Sequence, residues 1–312
     1  MNCWLEDRAK RFKNLFTEDQ LINPFIAVIK PDKYDLSWLK KSSMDYLAAV
    51  INYPEYQGET DLLNAFEFAA EKNAVPNITP TGMILPKRHS SLQYNVFLRS
   101  FYNLVMNTNV GPKLESCHTP AHLRVKWPLA VEEDLDRPRH APEDLHFDSW
   151  SGYSSHSMTF LLGILGDVSG NRVRYFQPKG SFDEDWLLNK PTPEFLLEHY
   201  DVVDYAPKYG EIVVLDTCVL HQTYRDAGCK IRFSIDNLFL SKEKLAWQEN
   251  IEKHRKDELT DPRVLSEIGS DCLYFCTDTN EQRKDTQGGA IDPTNYEFYK
   301  RPVTITYRIY DE

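Results

Sequence analysis

Two side chains that can bind a metal ion, His146 and Asp148, stand two positions apart near the middle of the chain. In an extended chain, residues i and i+2 point to the same face, so the imidazole and the carboxylate can approach one point while Phe147 turns into packing. His221 offers a third ligand at the end of the apolar run 211–220. The three residues predict a site for a divalent metal ion whose coordination sphere stays partly open.

A second pair of polar residues lies on the alternating run that follows His221. Arg232 and Ser234 are separated by one residue and therefore share a face if this run is a strand. The planar guanidinium of arginine binds a carboxylate through two parallel hydrogen bonds, and a neighbouring hydroxyl can add another. The pattern indicates a place where the carboxylate of a small molecule binds.

The order His-x-Asp, distant His and Arg-x-Ser resembles the 2-oxoglutarate/Fe(II)-dependent oxygenase superfamily, over residues 120–240. The resemblance implies Fe(II) bound by His146, Asp148 and His221, with 2-oxoglutarate and O2 as co-substrates. It also implies that Arg232 and Ser234 hold the far carboxylate of 2-oxoglutarate. The expected activity is that of a dioxygenase that hydroxylates a small polar molecule, and desaturation, ring closure and epimerisation stay open. Halogenation is disfavoured because it requires a small residue in place of the carboxylate ligand.

The residues after Asp148 suggest a substrate class. The pattern His-x-Asp-x-Trp-x-Gly-x-Ser is similar to phytanoyl-CoA-dioxygenase-like oxygenases of carbohydrate gene clusters and to sugar-acid hydroxylases. This resemblance implies a sugar or sugar acid of polysaccharide, lipopolysaccharide or secondary-metabolite biosynthesis. An aromatic plate beside short polar side chains suits a sugar, whereas an acyl chain requires an aliphatic channel. The candidate substrate-binding residues are Trp150 as the plate, Ser149, Ser151, Tyr153 and Asn171 as hydroxyl partners, and Arg124 as the partner of an anionic group.

Composition limits the classes of partner. The 312 residues carry a net charge of -11, which disfavours nucleic acid and anionic membranes because the chain has no basic stripe to neutralise phosphates. No apolar run reaches the length of a membrane span, and the first residues do not form a signal peptide. We expect a cytoplasmic protein with reduced thiols that acts on a small molecule. Cys272 and Cys276 have no second pair at zinc-site spacing, and the sequence does not indicate the oligomeric state.

The pattern of elements predicts a mainly β fold with added helices. Helical periodicity is found at 4–21, 36–52, 60–72 and 93–106, and the charged residues of the first helix are placed on its solvent side. At least seven short strands follow between 122 and 240, which favours a double-stranded β-helix (jelly-roll) core with the helical N-terminal part packed on one sheet. We therefore expect one oxygenase domain over 1–312, comprising a helix-rich part (1–110), the core (120–240) and a C-terminal extension (241–312).

Several local predictions can be compared directly with the structure. Ser37 is a candidate cap for the second helix. The turn residues 166–171 predict that the strands 158–165 and 173–176 form a hairpin. The proline-bearing segment 130–143 is expected to be a loop over the mouth of the site, and the tail is expected to be a helix over 241–258 and a strand over 303–309.

Each motif also has a simpler explanation. A single His-x-Asp pair arises by chance, His221 alone is more often a packed histidine, and Trp150 is as often a core residue as a substrate contact. Two other functional classes stay open: a cupin-like metal-dependent isomerase or hydrolase, and a catalytically inactive jelly-roll binding protein. Neither class requires Arg232 and Ser234 beside the metal ligands.

Overall fold

The computed structural model describes residues 3–72, 78, 82–86, 88–118, 121–128, 145–151, 153–243, 245, 259–260 and 262. The predicted loop 130–143, nearly all of the predicted helix over 241–258, the strand over 303–309 and both Cys272 and Cys276 lie outside these ranges. None of the helices in the described ranges combines the length and the apolar composition that crossing a bilayer demands.

The first hundred residues are rich in helix, as predicted. The described residues contain five α-helices: α1 (Cys3–Leu15), α2 (Lys33–Val50), α3 (Glu59–Glu71), α4 (Ser91–Met106) and α5 (Pro193–His199). The prediction that α1 extends to Leu21 is wrong, because Leu21 begins a strand. The cap of α2 is Asp32 rather than Ser37: its carboxylate accepts hydrogen bonds from the backbone N–H groups of Tyr34 and Asp35.

All strand pairs among the described residues are antiparallel, and they form two sheets. The large sheet has the order β1-β2-β8-β5-β10-β3-β11, and β4 also pairs with β10. Its strands are β1 (Leu21–Asn23), β2 (Ile26–Ile29), β3 (Leu114–His118), β4 (His122–Lys126), β5 (Met158–Gly166), β8 (Ile212–Asp216), β10 (Arg232–Ser241) and β11 (Leu259–Thr260). The small sheet has the order β7-β6-β9, with β6 (Asn171–Pro178), β7 (Tyr200–Val203) and β9 (Leu220–Arg225).

The chain passes repeatedly between the two sheets. From β5 it crosses to β6 and β7, returns to β8, crosses again to β9 and returns to β10. The predicted hairpin between 158–165 and 173–176 is therefore wrong, since β5 pairs with β8 and β10 whereas β6 pairs with β7 and β9. Gly166, with a φ of 75°, makes the turn out of β5, where a side chain would collide with the carbonyl oxygen of Ile231.

The alternation of side chains divides the interior into two layers. Phe233 and Ile235 of β10 join the core between the large sheet and helices α1–α4. Val213 and Leu215 of β8 belong to a second core, which the large sheet shares with β6, β7 and β9. Because residues i and i+2 share a face, Arg232 and Ser234 lie on the same side of β10, opposite to Phe233. Arg232, Ser234 and Asp236 thus face the space between the sheets, whereas Asn237 faces the helices and donates to the hydroxyl of Tyr102 on α4.

Candidate functional site

The three predicted metal ligands come together at one end of the space between the sheets. One atom of each of His146, Asp148 and His221 lies within 4.8 Å of the others, so the group is able to hold a metal ion. The chain brings them together through main-chain pairing: the N–H of His146 donates to the carbonyl of His221, and the reverse bond is also formed, each 3.1 Å long. Asp148 begins a short 3-10 turn (Asp148–Ser151) instead of continuing the strand.

The orientation of each ligand is set by neighbouring groups. The hydroxyl of Thr159, on β5, donates a hydrogen bond to Oδ2 of Asp148. Oδ1 of Asp148 lies 3.6 Å from Nε2 of His221. Nδ1 of His221 lies 3.5 Å from the carbonyl oxygen of Val219, which favours a proton on Nδ1 and leaves Nε2 for a metal. The imidazole rings of His146 and His221 have centroids 4.3 Å apart.

The electrostatic setting suits a cation. Burial alone would raise the pKa of Asp148, but the imidazoles of His221 and His146, when charged, and the hydrogen bond from Thr159 lower that pKa overall. The carboxylate is therefore ionised at neutral pH. A divalent ion bound by one carboxylate and two neutral imidazoles has its coordination sphere only partly filled, which is the donor set of non-haem Fe(II) sites.

Arg232 is a buried cation for which the described residues offer no acceptor. Its exposed fraction is 5 %, and no residue of the described ranges accepts a hydrogen bond from its guanidinium or forms an ion pair with it. Burial lowers the pKa of Arg232 to about 10, so the group still carries its charge at neutral pH. A buried charge without a partner is costly, typically several kcal/mol. The position therefore demands an anion that does not belong to the described part of the chain.

The other cation predicted near the site is already neutralised. Arg124, on β4, forms two hydrogen bonds to the carboxylate of Asp236, which lies on the adjacent strand β10. The charge of Arg124 also helps to lower the pKa of Asp148. The expected contact between Arg124 and an anionic substrate stays a prediction. Asp236 was missed in the sequence, although it stands two positions after Ser234 and shares its face.

The candidate sugar-binding residues mostly have structural partners. The hydroxyl of Ser149 donates to the carbonyl of Leu187 at 2.8 Å, and Nε1 of Trp150 donates to the carbonyl of Trp186 at 2.8 Å. These bonds fasten the segment before α5 to the turn that carries Asp148. Their role in binding a substrate stays a prediction.

The remaining three candidates are Asn171, Tyr153 and Ser151. Nδ2 of Asn171 donates to two main-chain carbonyls, those of Lys126 and Lys230. Tyr153 makes an edge-on ring contact with His118, at 5.0 Å between centroids, and Ser151 is exposed. Of the three, Ser151 ends the 3-10 turn that Asp148 begins, and Tyr153 lies two positions after it.

The sequence did not reveal that helix α1 supports the site. Arg8 and Arg11, expected on the solvent side of this helix, are instead buried and bind the carboxylate of Asp216 at 2.7 and 2.5 Å. They also donate to the carbonyls of Ser155 and His156, at 3.1 and 2.6 Å. These carbonyls belong to the loop between the Asp148 turn and β5. The two arginines therefore position the segment that follows the metal ligands.

This buried network predicts a loss of stability in acid. Burial would raise the pKa of Asp216, but the charges of Arg8 and Arg11 lower it to about 2. Because the folded pKa lies below the unfolded value of about 3.9, the stabilisation is complete above pH 4 and is lost as the pH falls towards 2. We expect a decrease of about 2–3 kcal/mol in the free energy of unfolding from this carboxyl group. Urea unfolding at a series of pH values measures it.

A matched comparison isolates the contribution of Asp216. Asp216→Asn removes the titrating group, so its free energy of unfolding should fall less between pH 4 and pH 2 than that of the wild type. Asp45→Asn, in the exposed pair with Lys41, should retain the full dependence. Identical pH profiles for Asp216→Asn and the wild type would contradict the assignment.

Comparisons with known proteins give a likeness to solved structures only. No protein-family model and no curated protein sequence matches the chain. The chain is similar to the non-haem alpha-ketoglutarate-dependent epimerase SnoN from nogalamycin biosynthesis, with 11% identity, coverage of 77% of this chain and 84% of the other, and a TM-score of 0.41. For AviO1 from Streptomyces viridochromogenes Tue57 the identity is 13%, the match covers 76% of this chain and 95% of the other, and the TM-score is 0.39. For an N-substituted L-amino acid dioxygenase from Burkholderia ambifaria AMMD the identity is 15%, the match covers 76% of this chain and 88% of the other, and the TM-score is 0.35.

Proposed function

We propose that this chain is a non-haem Fe(II)/2-oxoglutarate-dependent oxygenase. The observation that carries the proposal is Arg232, a buried guanidinium with no acceptor in the described ranges, on a strand whose polar face shares the inter-sheet space with His146, Asp148 and His221. A metal site alone fits many activities. A metal site together with an unmatched buried cation fits a ligand that joins the two through a metal-binding end and a distal carboxylate.

The charges of such a complex balance. A divalent ion and the carboxylate of Asp148 leave one positive charge, and Arg232 adds a second. The two carboxylates of 2-oxoglutarate neutralise both, while the pair of Arg124 with Asp236 is neutral by itself. Neutrality matters because a buried net charge is costly in a medium of low dielectric constant. A monocarboxylate would leave the guanidinium of Arg232 unmatched.

The residues of the chain have distinct tasks in this proposal. The chemistry that bound Fe(II) and 2-oxoglutarate supply together is the O2-dependent oxidation of a substrate C–H bond. Thr159 fixes the rotation of the Asp148 carboxylate, and the carbonyl of Val219 fixes the tautomer of His221. Arg232 orients the co-substrate through its distal end, and the apolar residues of both sheets exclude water.

The fold that accompanies this function is a double-stranded β-helix. In the proposal, β4, β10, β5 and β8 form one wall, and β9, β6 and β7, with His146 bridged to β9, form the other. The crossing of the chain between the sheets and the main-chain bridge between His146 and His221 support this arrangement. We further propose a single oxygenase domain over 1–312 and a cytoplasmic location.

A sugar or sugar acid stays our proposal for the substrate, within a phytanoyl-CoA-dioxygenase-like subset. Ser151 and Tyr153 adjoin the metal-binding turn, whereas Trp150 and Ser149 are engaged by the segment before α5. Release of succinate across panels of sugars, amino acids and acyl compounds tests the class. If only amino acids or acyl thioesters stimulated the release of succinate, the proposal of a carbohydrate substrate would be contradicted, whereas the proposal of the metal site would stand.

Anaerobic titration tests the proposed function itself. Fe(II) is added to the metal-free protein to one equivalent, and 2-oxoglutarate is then added while the visible spectrum is recorded. We expect a weak charge-transfer band that saturates with 2-oxoglutarate. If the protein binds iron but shows neither the band nor any measurable affinity for 2-oxoglutarate, the cupin-like isomerase or hydrolase is favoured. Failure to bind iron would favour the inactive binding protein.

A further inference from the structure

The turn that carries Asp148 is a short element that depends on tertiary contacts. It is a 3-10 turn of four residues, Asp148–Ser151, in which the N–H of Trp150 donates to the carbonyl of Phe147 at 3.1 Å. Hydrogen bonds of 3-10 turns have poorer geometry than those of α-helices, so a single turn is not stable by itself. The hydroxyl of Thr159 holds the carboxylate of Asp148 and not the main chain that bears it. Other contacts therefore have to keep this main chain in place.

Two hydrogen bonds connect the turn to residues 182–188, which lie between β6 and α5 and are called the strap below. The hydroxyl of Ser149 donates to the carbonyl of Leu187, and Nε1 of Trp150 donates to the carbonyl of Trp186, both at 2.8 Å. Both donors follow Asp148 directly in the sequence. Because both acceptors are main-chain carbonyls, the two bonds join the turn to the backbone of the strap.

The strap also packs against the residue that precedes Asp148. The ring of Phe147 contacts the ring of Phe182 edge-on, with 6.4 Å between their centroids. Both rings are buried in the core that the large sheet shares with β6, β7 and β9. The strap therefore contacts the chain on both sides of the carboxylate ligand.

Arg8 of helix α1 connects the strap to the rest of the fold. Its guanidinium donates to the carboxylate of Glu184 at 3.0 and 2.9 Å and lies 5.9 Å from the centre of the Phe182 ring. The same guanidinium binds Asp216 on β8 and the carbonyl of Ser155, which follows the metal-binding turn. Arg8 is fully buried, and charge-assisted hydrogen bonds are strong where water is excluded. Displacement of the strap would therefore break several strong bonds.

We propose that the strap is a positioning element of the metal site. Ser149 and Trp150 fasten the main chain at Asp148 to the strap, and Arg8 and Glu184 hold the strap in place. The inference depends on the proposed metal site. It gives Ser149 and Trp150 a task other than binding a sugar. None of the four residues belongs to the proposed ligands, so their loss should loosen the carboxylate ligand without removing it.

Ser149→Ala tests the strap by removing a single oxygen atom. We expect the affinity for Fe(II) to fall about 5- to 10-fold, which is less than the effect of losing a direct partner of a metal ligand. The visible absorption of bound Co(II), which responds to the geometry of the ligands, should change as well. Anaerobic equilibrium dialysis and a Co(II) titration measure the two effects. Trp150→Phe, which removes the second hydrogen bond to the strap, should change both quantities in the same direction.

Ser100→Ala is the matched control. Ser100 lies on α4, is also buried, and donates its hydroxyl to the main-chain carbonyl of Val96 at 2.7 Å. Its loss should lower the free energy of unfolding about as much as Ser149→Ala does, and it should leave Fe(II) affinity and the Co(II) spectrum unaltered. A purely structural role of Ser149 predicts the same behaviour for both variants.

A double variant tests the connection through Arg8. Glu184→Gln removes the charge by which the strap binds Arg8, so it should also lower the affinity for Fe(II). Residues that act through one element have non-additive effects. The variant that combines Glu184→Gln with Ser149→Ala should therefore bind Fe(II) about as well as the weaker of the two single variants. Multiplication of the two losses would overturn the connection.

The outcomes separate this inference from the proposed function. Wild-type Fe(II) affinity in Ser149→Ala and Trp150→Phe, or an equal loss in Ser100→Ala, overturns the role of the strap while the oxygenase proposal stands. Failure of the wild-type protein to bind Fe(II) overturns the proposed function, and the role of the strap with it.

Discussion

Replacing His146, Asp148 or His221 by alanine should abolish stoichiometric binding of Fe(II) at micromolar concentrations. Each variant leaves two ligands in place of three, and no other residue in the described ranges forms a comparable group of potential ligands. The fold should survive, because the bridge between His146 and His221 is formed by main-chain atoms that alanine retains. Anaerobic equilibrium dialysis against Fe(II) measures the loss, and circular dichroism verifies the fold.

Two further variants make this result specific. His89→Ala removes an exposed imidazole elsewhere in the chain and should bind iron like the wild type. Thr159→Val keeps all three ligands but frees the carboxylate of Asp148 to rotate, so we expect iron affinity to fall about 10- to 100-fold, between that of the control and the alanine variants. Full affinity in any of the three alanine variants would remove that residue from the site.

Arg232→Met should weaken the binding of 2-oxoglutarate by about 2–4 kcal/mol, the scale on which a buried charge-assisted contact is lost. Fe(II) binding should be retained, since Arg232 is not a ligand. The free energy of unfolding of the ligand-free protein should not decrease and is expected to rise, because methionine replaces a buried cation that has no acceptor in the described ranges. Calorimetric titration and urea unfolding measure the two effects on the same sample.

The opposite signs of these two effects distinguish a binding residue from a structural one. A structural arginine would lose stability and affinity together. Arg172→Met, on the exposed pair with Asp226, is the control and should alter neither quantity by more than about 0.5 kcal/mol. If Arg232→Met bound 2-oxoglutarate normally, Arg124 or Lys126 would be the better candidate for the carboxylate contact.

The sequence was most informative where residue type and spacing act locally. The alternation of β4 correctly predicts that Leu123 and Val125 pack inwards and that Arg124 faces the other side of the sheet. The grouping of the three candidate metal ligands was predictable because only few residue types bind metals. The reason given for the convergence of His146 and Asp148 was only partly right, since Asp148 lies in a turn rather than in a strand.

Strand pairing was less predictable, because it depends on segments distant in sequence. The residues 166–171 have the composition of a hairpin turn, but β6 pairs with β7 and β9, which follow it in the sequence, and not with β5. Likewise the single apolar run 211–220 is divided between β8 of the large sheet and the start of β9 in the small sheet. Turn composition predicts where a chain reverses direction and leaves open which sheet receives it.

No local sequence pattern indicated that Arg8 and Arg11 of α1 are buried. Hydrophobic periodicity places Arg8 and Arg11 with the charged residues of the helix, and this assignment is correct for most arginines. Their acceptor, Asp216, is about two hundred residues away, and a sequence pattern does not connect the two.

The central position of β10 has a consequence for synthesis of the protein on the ribosome. This strand pairs with β5 on one side and with β4 and β3 on the other, although it follows all of them in the sequence. Until β10 has emerged, β5 and β4 present unpaired edges, which are prone to associate with other chains. Holding such edges apart is a task for chaperones, and a nascent chain that stalls before Arg232 should depend on them more than one that stalls after Ser241.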